Sequence, residues 1–132
     1  MTLKQKLEQY ITSEIADSAL YTALAELAKT SISKQVLLQI ASEEAGHAKA
    51  FGEVYKSAYG AEFVADKPTQ ILPKEDYNEI IRDRILDEIE DYRKYNKDAT
   101  MPESEALKRI YAKNSIDENT HAVKLLDILG GL

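Results

Sequence analysis

Six metal-type ligands recur at one fixed offset, and this constrains the chain more than any other feature. Glu14, Glu44 and His47 return as Glu88, Glu118 and His121, each 74 residues later (88−14, 118−44, 121−47). Ile11, Ile15, Asp17, Tyr21 and Ala48 return at the same offset as Ile85, Ile89, Asp91, Tyr95 and Ala122. Both histidines of the chain lie in these copies, each as Glu-x-x-His. Two copies of a 74-residue unit are too long and too few for a solenoid. They describe instead a duplicated half-structure, each half bringing one Glu and one Glu-x-x-His to a shared two-metal carboxylate site.

The 3–4 spacing of apolar residues, with five glycines and three prolines, predicts an all-α chain of four helices. Helix 1 is expected from about Leu3 to Lys29, opened by a Thr2/Gln5 capping box. Helix 2 is expected from about Ser33 to Ala58, with Ser31 or Ser33 as its cap and Gly60 as its stop. Helix 3 is expected from about Lys74 to Lys97, with Tyr77, Ile81, Ile85, Tyr92 and Tyr95 inward and a break over Asn96–Thr100. A second capping box, Thr100 with Glu103, and Pro102 in the first turn would open helix 4, which Gly130-Gly131 ends.

These limits give a single domain over residues 1–132: a hairpin over 1–60, a crossover over 61–73 and a second hairpin over 74–132. Thirteen or so extended residues span roughly 40 Å, about the length of a 26-residue helix. The crossover can therefore run the length of the bundle and bring helix 3 in parallel to helix 2. The expected fold is an all-α four-helix bundle, two helical hairpins joined by one long crossover, up-down-down-up.

Composition removes several functional classes. With no cysteine, disulfides, iron–sulfur centres and thiol chemistry are excluded. A net charge of −6 without a basic tail argues against a nucleic-acid partner. No apolar run approaches the ~20 residues of a membrane span, and Met1-Thr2-Leu3-Lys4 opens no signal peptide, so a cytoplasmic home is expected.

The repeated acids and histidines fall on the apolar stripes, near the middle of their helices. No Lys or Arg is read on those stripes in the middle turns. Four carboxylates converging in a core without counter-charge would be very costly. Two divalent cations balance them, and two neutral imidazoles complete the shell. Residues i and i+3 share a helix face, so Glu44 with His47, and Glu118 with His121, can each approach one ion, while Glu14 and Glu88 bridge or terminate. Mixed oxygen and imidazole ligation suits iron or manganese better than zinc. Asp17 and Asp91, three residues beyond Glu14 and Glu88, project the same way. They either join the metal shell or hydrogen-bond a neighbouring helix. Tyr21 and Tyr95 lie two turns beyond the same glutamates, where a phenol can orient a ligating carboxylate; core packing is the other reading.

On these residues the chain resembles the rubrerythrin branch of the ferritin-like di-iron proteins. Glu14-Ile-Ala-Asp-Ser-Ala-Leu-Tyr21 is similar to the family's first helix, and Ala41-Ser-Glu-Glu44-Ala-Gly-His47-Ala-Lys-Ala-Phe51 to its second. The resemblance implies that Glu14, Glu44, His47, Glu88, Glu118 and His121 ligate two iron ions, with manganese or a mixed iron–manganese pair as alternatives. It implies an extra carboxylate at Asp91, shorter here than the family's usual Glu and so reaching metal only through water. Asp17 would mirror it, and the pair would favour the diferric state. Many relatives carry a cysteine-bound rubredoxin-like iron centre; this chain has none, so electrons would come from a separate donor.

The function expected from the resemblance is a di-iron peroxidase that reduces hydrogen peroxide. One alternative is a ferroxidase or iron store that uses dioxygen. Another is a non-enzymatic, metal-stapled bundle. A homodimer or larger homo-oligomer is expected, and hairpin exchange between subunits stays open because each half-site is read as carried by one hairpin.

Overall fold

A computed structural model describes all residues 1–132 as four helices and no strand. They are α1 (Leu3–Glu26), α2 (Ser31–Tyr59), α3 (Tyr77–Thr100) and α4 (Glu105–Leu129), with a short 3-10 turn at Lys74–Asp76 before α3. Thr2 and Gln5 form the expected capping box at α1. Gly60 takes φ 75°, the left-handed conformation that ends α2, where a side chain would add strain.

Hydrogen bonds between helices set the direction of each. Ser18 bonds Ala41 and Tyr55 bonds Glu8, so α2 runs antiparallel to α1. Tyr10 bonds Asp98 and Tyr21 bonds Glu88, so α3 also opposes α1. Contacts of Glu43 with His121 and of His47 with Asp117 make α4 antiparallel to α2. The order is therefore up-down-down-up. The segment from Gly60 to Pro73 joins opposite ends of the bundle: Phe63 and Ala65 pack at one end, Leu72 at the other.

The core is two apolar layers with a polar band between them. One holds Tyr21, Leu24, Leu37, Ile40, Ile81, Leu125 and neighbours; the other is aromatic, with Leu7, Phe51, Tyr55, Tyr95, Leu107 and Tyr111. Both layers derive from the helical stripes, and their burial supplies most of the drive to fold.

Several helix ends differ from the sequence reading. α1 stops at Glu26, and α2 starts at Ser31 because Thr30 caps it, with Ser33 as the reciprocal partner. α3 continues to Thr100 through the polar run that local propensity would break. Tertiary contacts override that propensity: Asp98 accepts from both Lys6 and Tyr10, and Ala99 packs on the aromatic layer. Thr100 is consequently no cap; its hydroxyl donates back to Lys97. Ser104 caps α4 through the Leu107 amide, which leaves Pro102 in the link rather than the first turn. Glu103 instead accepts from Lys6 and Tyr111. Tyr92 is only half-buried.

Candidate metal centre

The polar band is built by the repeated residues. Glu14, Glu44, His47, Glu88, Glu118 and His121 are all 2% exposed or less. Their ligand atoms form two sets, Glu14–Glu44–His47–Glu118 and Glu44–Glu88–Glu118–His121, within which all atoms lie within 4.8 Å of one another. Glu44 and Glu118 belong to both, so they stand between the two sets, with Glu14 and His47 on one side and Glu88 and His121 on the other. Each set draws a glutamate from the opposite hairpin. The expectation that one hairpin carries one half-site is thereby corrected: neither hairpin holds a complete set.

Both imidazoles turn Nδ1 inward. His47 Nδ1 is 2.6 Å from Glu14 and 3.2 Å from Glu44. His121 Nδ1 is 3.2 Å from Glu118, 3.4 Å from Glu44 and 3.5 Å from Glu88. The two rings are nearly parallel, 6.4 Å apart. Their outer nitrogens are held across the hairpins: His47 Nε2 lies 2.8 Å from Asp117, and His121 Nε2 2.9 Å from Glu43. A proton on Nε2 donated to those carboxylates leaves the Nδ1 lone pair facing inward, as a metal ligand requires. Sequence reasoning missed Glu43 and Asp117, although they obey the same offset (117−43) and extend each motif to acid-Glu-x-x-His.

The tyrosines also act across the hairpins. Tyr21 Oη donates to Glu88 Oε1 at 2.7 Å, and Tyr95 Oη to Glu14 Oε1 at 3.3 Å. Each therefore holds a carboxylate of the opposite half. Tyr21→Phe is expected to cost roughly 1–3 kcal/mol, because it removes this bond and leaves a buried acceptor short. Denaturant unfolding with unchanged metal content would check it; a stability equal to the parent's would contradict the bond's role. Asn114, one turn before Glu118, is buried, and its Nδ2 finds no hydrogen-bond partner.

One strong feature contradicts the sequence reading outright. Arg84, on the face of α3 one turn before Glu88, is buried and lies within the band. Its guanidinium is 3.5 Å from Glu88 and 3.3 Å from Asp17, and its Nε donates to Tyr21 Oη at 3.2 Å. The stripe therefore does carry a cation; Arg84 was legible as the i−4 neighbour of Glu88 on one helix face. Asp17 lies beside Glu14 and Asp91, their oxygens within 4.8 Å, while Asp91 pairs with Lys94 at 3.3 Å. Both aspartates are partly exposed and stand at the rim of the buried cluster.

Burial and crowding shift the ionisation of every member. Burial, then repulsion from Glu88, Glu14 and Glu44, pushes Glu118 far above the carboxylate range. Burial also raises Glu14 to about 8, against the pull of His47. Burial opposes charge on His47, but the Glu14 and Glu44 carboxylates prevail and hold it at about 10. His121 is raised in the same way by Glu88 and Glu44, burial again opposing. The cluster thus tends to keep protons where a metal site would hold cations.

Residual demand tests whether the residues suit metal. Both oxygens of Glu44 and of Glu118, Glu88 Oε2 and His121 Nδ1 are buried without a hydrogen-bond partner. Unmet buried acceptors are costly and rare. These six converge on one volume and offer oxygen and imidazole lone pairs, the donor set of a di-metal carboxylate site. They fit.

The Rubrerythrin family model matches residues 6–129, nearly the whole chain. The chain belongs to the rubrerythrin family. No curated protein and no solved structure matches it. The rubrerythrin domain and the buried carboxylate–histidine cluster together fit a di-iron protein. Residues 1–132 contain no cysteine that could hold a rubredoxin-like iron, and no helix is long and apolar enough to cross a membrane.

Proposed function

We propose that this rubrerythrin-family chain is a di-iron peroxidase, with Glu14, Glu44, His47, Glu88, Glu118 and His121 holding the two ions. Two bound Fe(II) would supply one electron each to hydrogen peroxide, which with two protons yields two waters and leaves two Fe(III). The observation that carries the reading is the additional acidic group beside the cluster. Glu14, Asp17 and Asp91 come together at its edge, which adds two carboxyls beside the four glutamates that would ligate the ions.

The chain's own residues have separable tasks. Glu44 and Glu118 hold the shared positions, and Asp117 and Glu43 fix the imidazoles from behind. Tyr21 and Tyr95 pin the outer glutamates. In the metal-free chain burial raises the pKa of Asp17 to about 7, against the opposing Arg84 charge. Asp17 stands at the cluster's rim beside Glu14, where a carboxyl can pass on the protons that peroxide reduction needs. The flanking apolar layers exclude bulk water. Electrons for a second turnover would come from a separate donor protein.

The partly exposed Asp17 and Asp91 also favour a second reading. Acids leading from the surface to the cluster would serve Fe(II) entry to a ferroxidase that uses dioxygen. Anaerobic stopped flow separates the two. Protein loaded with two Fe(II) per chain is mixed with hydrogen peroxide or with dioxygen, and the diferric absorbance is followed. Much faster oxidation by peroxide is expected. Faster oxidation by dioxygen with continued iron uptake would make it an iron-handling protein, and no oxidation by either would leave a metal-stapled bundle.

A further inference from the structure

We propose that Arg84 makes the two halves of the metal centre unequal, weakening cation binding on the Glu88–His121 side and so setting a loading order. The inference rests on the metal-centre reading above and deepens it. The repeat relates the halves closely: glutamates, histidines, tyrosines and the acids behind the histidines all have counterparts 74 residues away. Arg84 does not. Its counterpart position holds Tyr10, whose hydroxyl donates to Asp98 rather than to Glu14.

Among the six candidate ligands Arg84 touches Glu88 alone, and it reaches the Glu14 side only through Asp17 at the rim. Arg84 lies 3.5 Å from Glu88 Oε1, the same oxygen that accepts from Tyr21, and its guanidinium lies over the Tyr21 ring, 5.2 Å from the ring centre. The other half has no equivalent. Of the cations there, Lys94 is more exposed, pairs with Asp91 and lies over the rings of Tyr10 and Tyr95, and the exposed Lys113 pairs with Asp117 behind His47; neither touches a candidate ligand carboxylate. Glu14 keeps only Tyr95 and His47 as partners.

A fixed positive charge in contact with a ligating carboxylate draws off its donor strength and repels the incoming cation. At the effective dielectric of a buried site, one unit charge several ångströms from a divalent ion shifts affinity by roughly tenfold or more. The first cation therefore enters the Glu14–His47 side, and the second binds more weakly beside Glu88 and His121. In metal-free protein the same charge is useful, because it offsets a band of buried carboxylates. Arg84 is a positioning residue with two opposite consequences. It steadies the metal-free fold and weakens the second metal position.

Those opposite signs make the test specific. Anaerobic Mn(II) titration is followed by calorimetry and by electron paramagnetic resonance, which separates single Mn(II) from coupled pairs. In the parent, single Mn(II) should dominate at one ion per chain, and coupled pairs should follow with the second. Arg84→Gln should raise the second affinity at least tenfold, bring coupled pairs from the first additions, and lower the melting temperature of the metal-free protein. Arg84→Lys, which keeps the charge, should restore stepwise loading. Arg84→Met keeps a long unbranched side chain without the charge and replaces the Gln variant if that one does not fold.

The proposal is overturned if the parent loads both ions together, or if the affinity ratio is unchanged when the charge is removed. A variant that lowers both stability and second affinity would make Arg84 merely structural, which also overturns it. Failure of the parent to bind Mn(II) at all would instead strike the metal-centre reading.

Discussion

Glu44→Ala combined with Glu118→Ala should abolish binding of both cations. These are the only two side chains common to both ligand sets, so their loss strips two donors from each position. Glu14→Ala, by contrast, spares the Glu44–Glu88–Glu118–His121 set and should leave one cation per chain. The thermodynamic effect is large because bound metal contributes to folding by mass action. At free metal near a thousand times Kd, one site adds about 4 kcal/mol. The parent's melting temperature should rise steeply with added Mn(II) or Fe(II), and the double variant's should not move. Metal per chain by elemental analysis, together with paired melting curves, decides the matter. Two retained cations in the double variant would sink the ligand assignment.

Stripped of metal, the protein should lose stability as pH rises from about 5 toward 10. Glu14 and Asp17 are raised to about 8 and about 7, His47 to about 10, and Glu88, Glu118 and His121 are raised as well. A group whose folded pKa exceeds its unfolded one contributes fully below the unfolded value and loses that contribution as pH climbs through the folded value. The folded state binds more protons across this window, so the slope is negative. Several groups acting together put the loss at several kcal/mol. Glu43, Glu44, Glu103 and Asp117 are lowered and act oppositely, losing their contribution as pH falls through the carboxylate range. The metal-free optimum should therefore lie near pH 5. Saturating metal should reverse the trend above it, because cations displace the same protons and bind better as pH rises. Melting temperatures from pH 5 to 9, with chelator and with Mn(II), test both signs. A chelated protein that gains stability from pH 6 to 9 would contradict the proton-holding cluster.

The fold and the inner cluster were legible because duplication writes the same information twice. One Glu-x-x-His on a helix says little, but two at a matched offset, each on an apolar stripe with a matched glutamate, leave few arrangements that bury all six. What escaped the sequence depends on contacts between distant segments. α3 runs past Asn96 because Asp98 meets Lys6 and Tyr10 from α1. Ser104 rather than Thr100 caps α4, and only the fold decides between them. The position of Arg84 on the Glu88 face was legible, but its partners Asp17 and Tyr21 of α1, which receive it in the core, were not. The acids behind the histidines could have been found from the offset itself, since Glu43 and Asp117 keep it too. The pairing of each tyrosine with the opposite half was not readable, because helical spacing fixes a face and not its partner.

That both ligand sets straddle the hairpins has a consequence for mass action. As two free chains, the hairpins would complete a site only when they met, and its abundance would fall steeply with dilution. The segment from Gly60 to Pro73 turns that encounter into an intramolecular event, with an effective concentration on the order of millimolar. The centre is therefore as complete in one dilute molecule as in a crowd. Its occupancy is set by the supply of cations and protons rather than by the abundance of the protein.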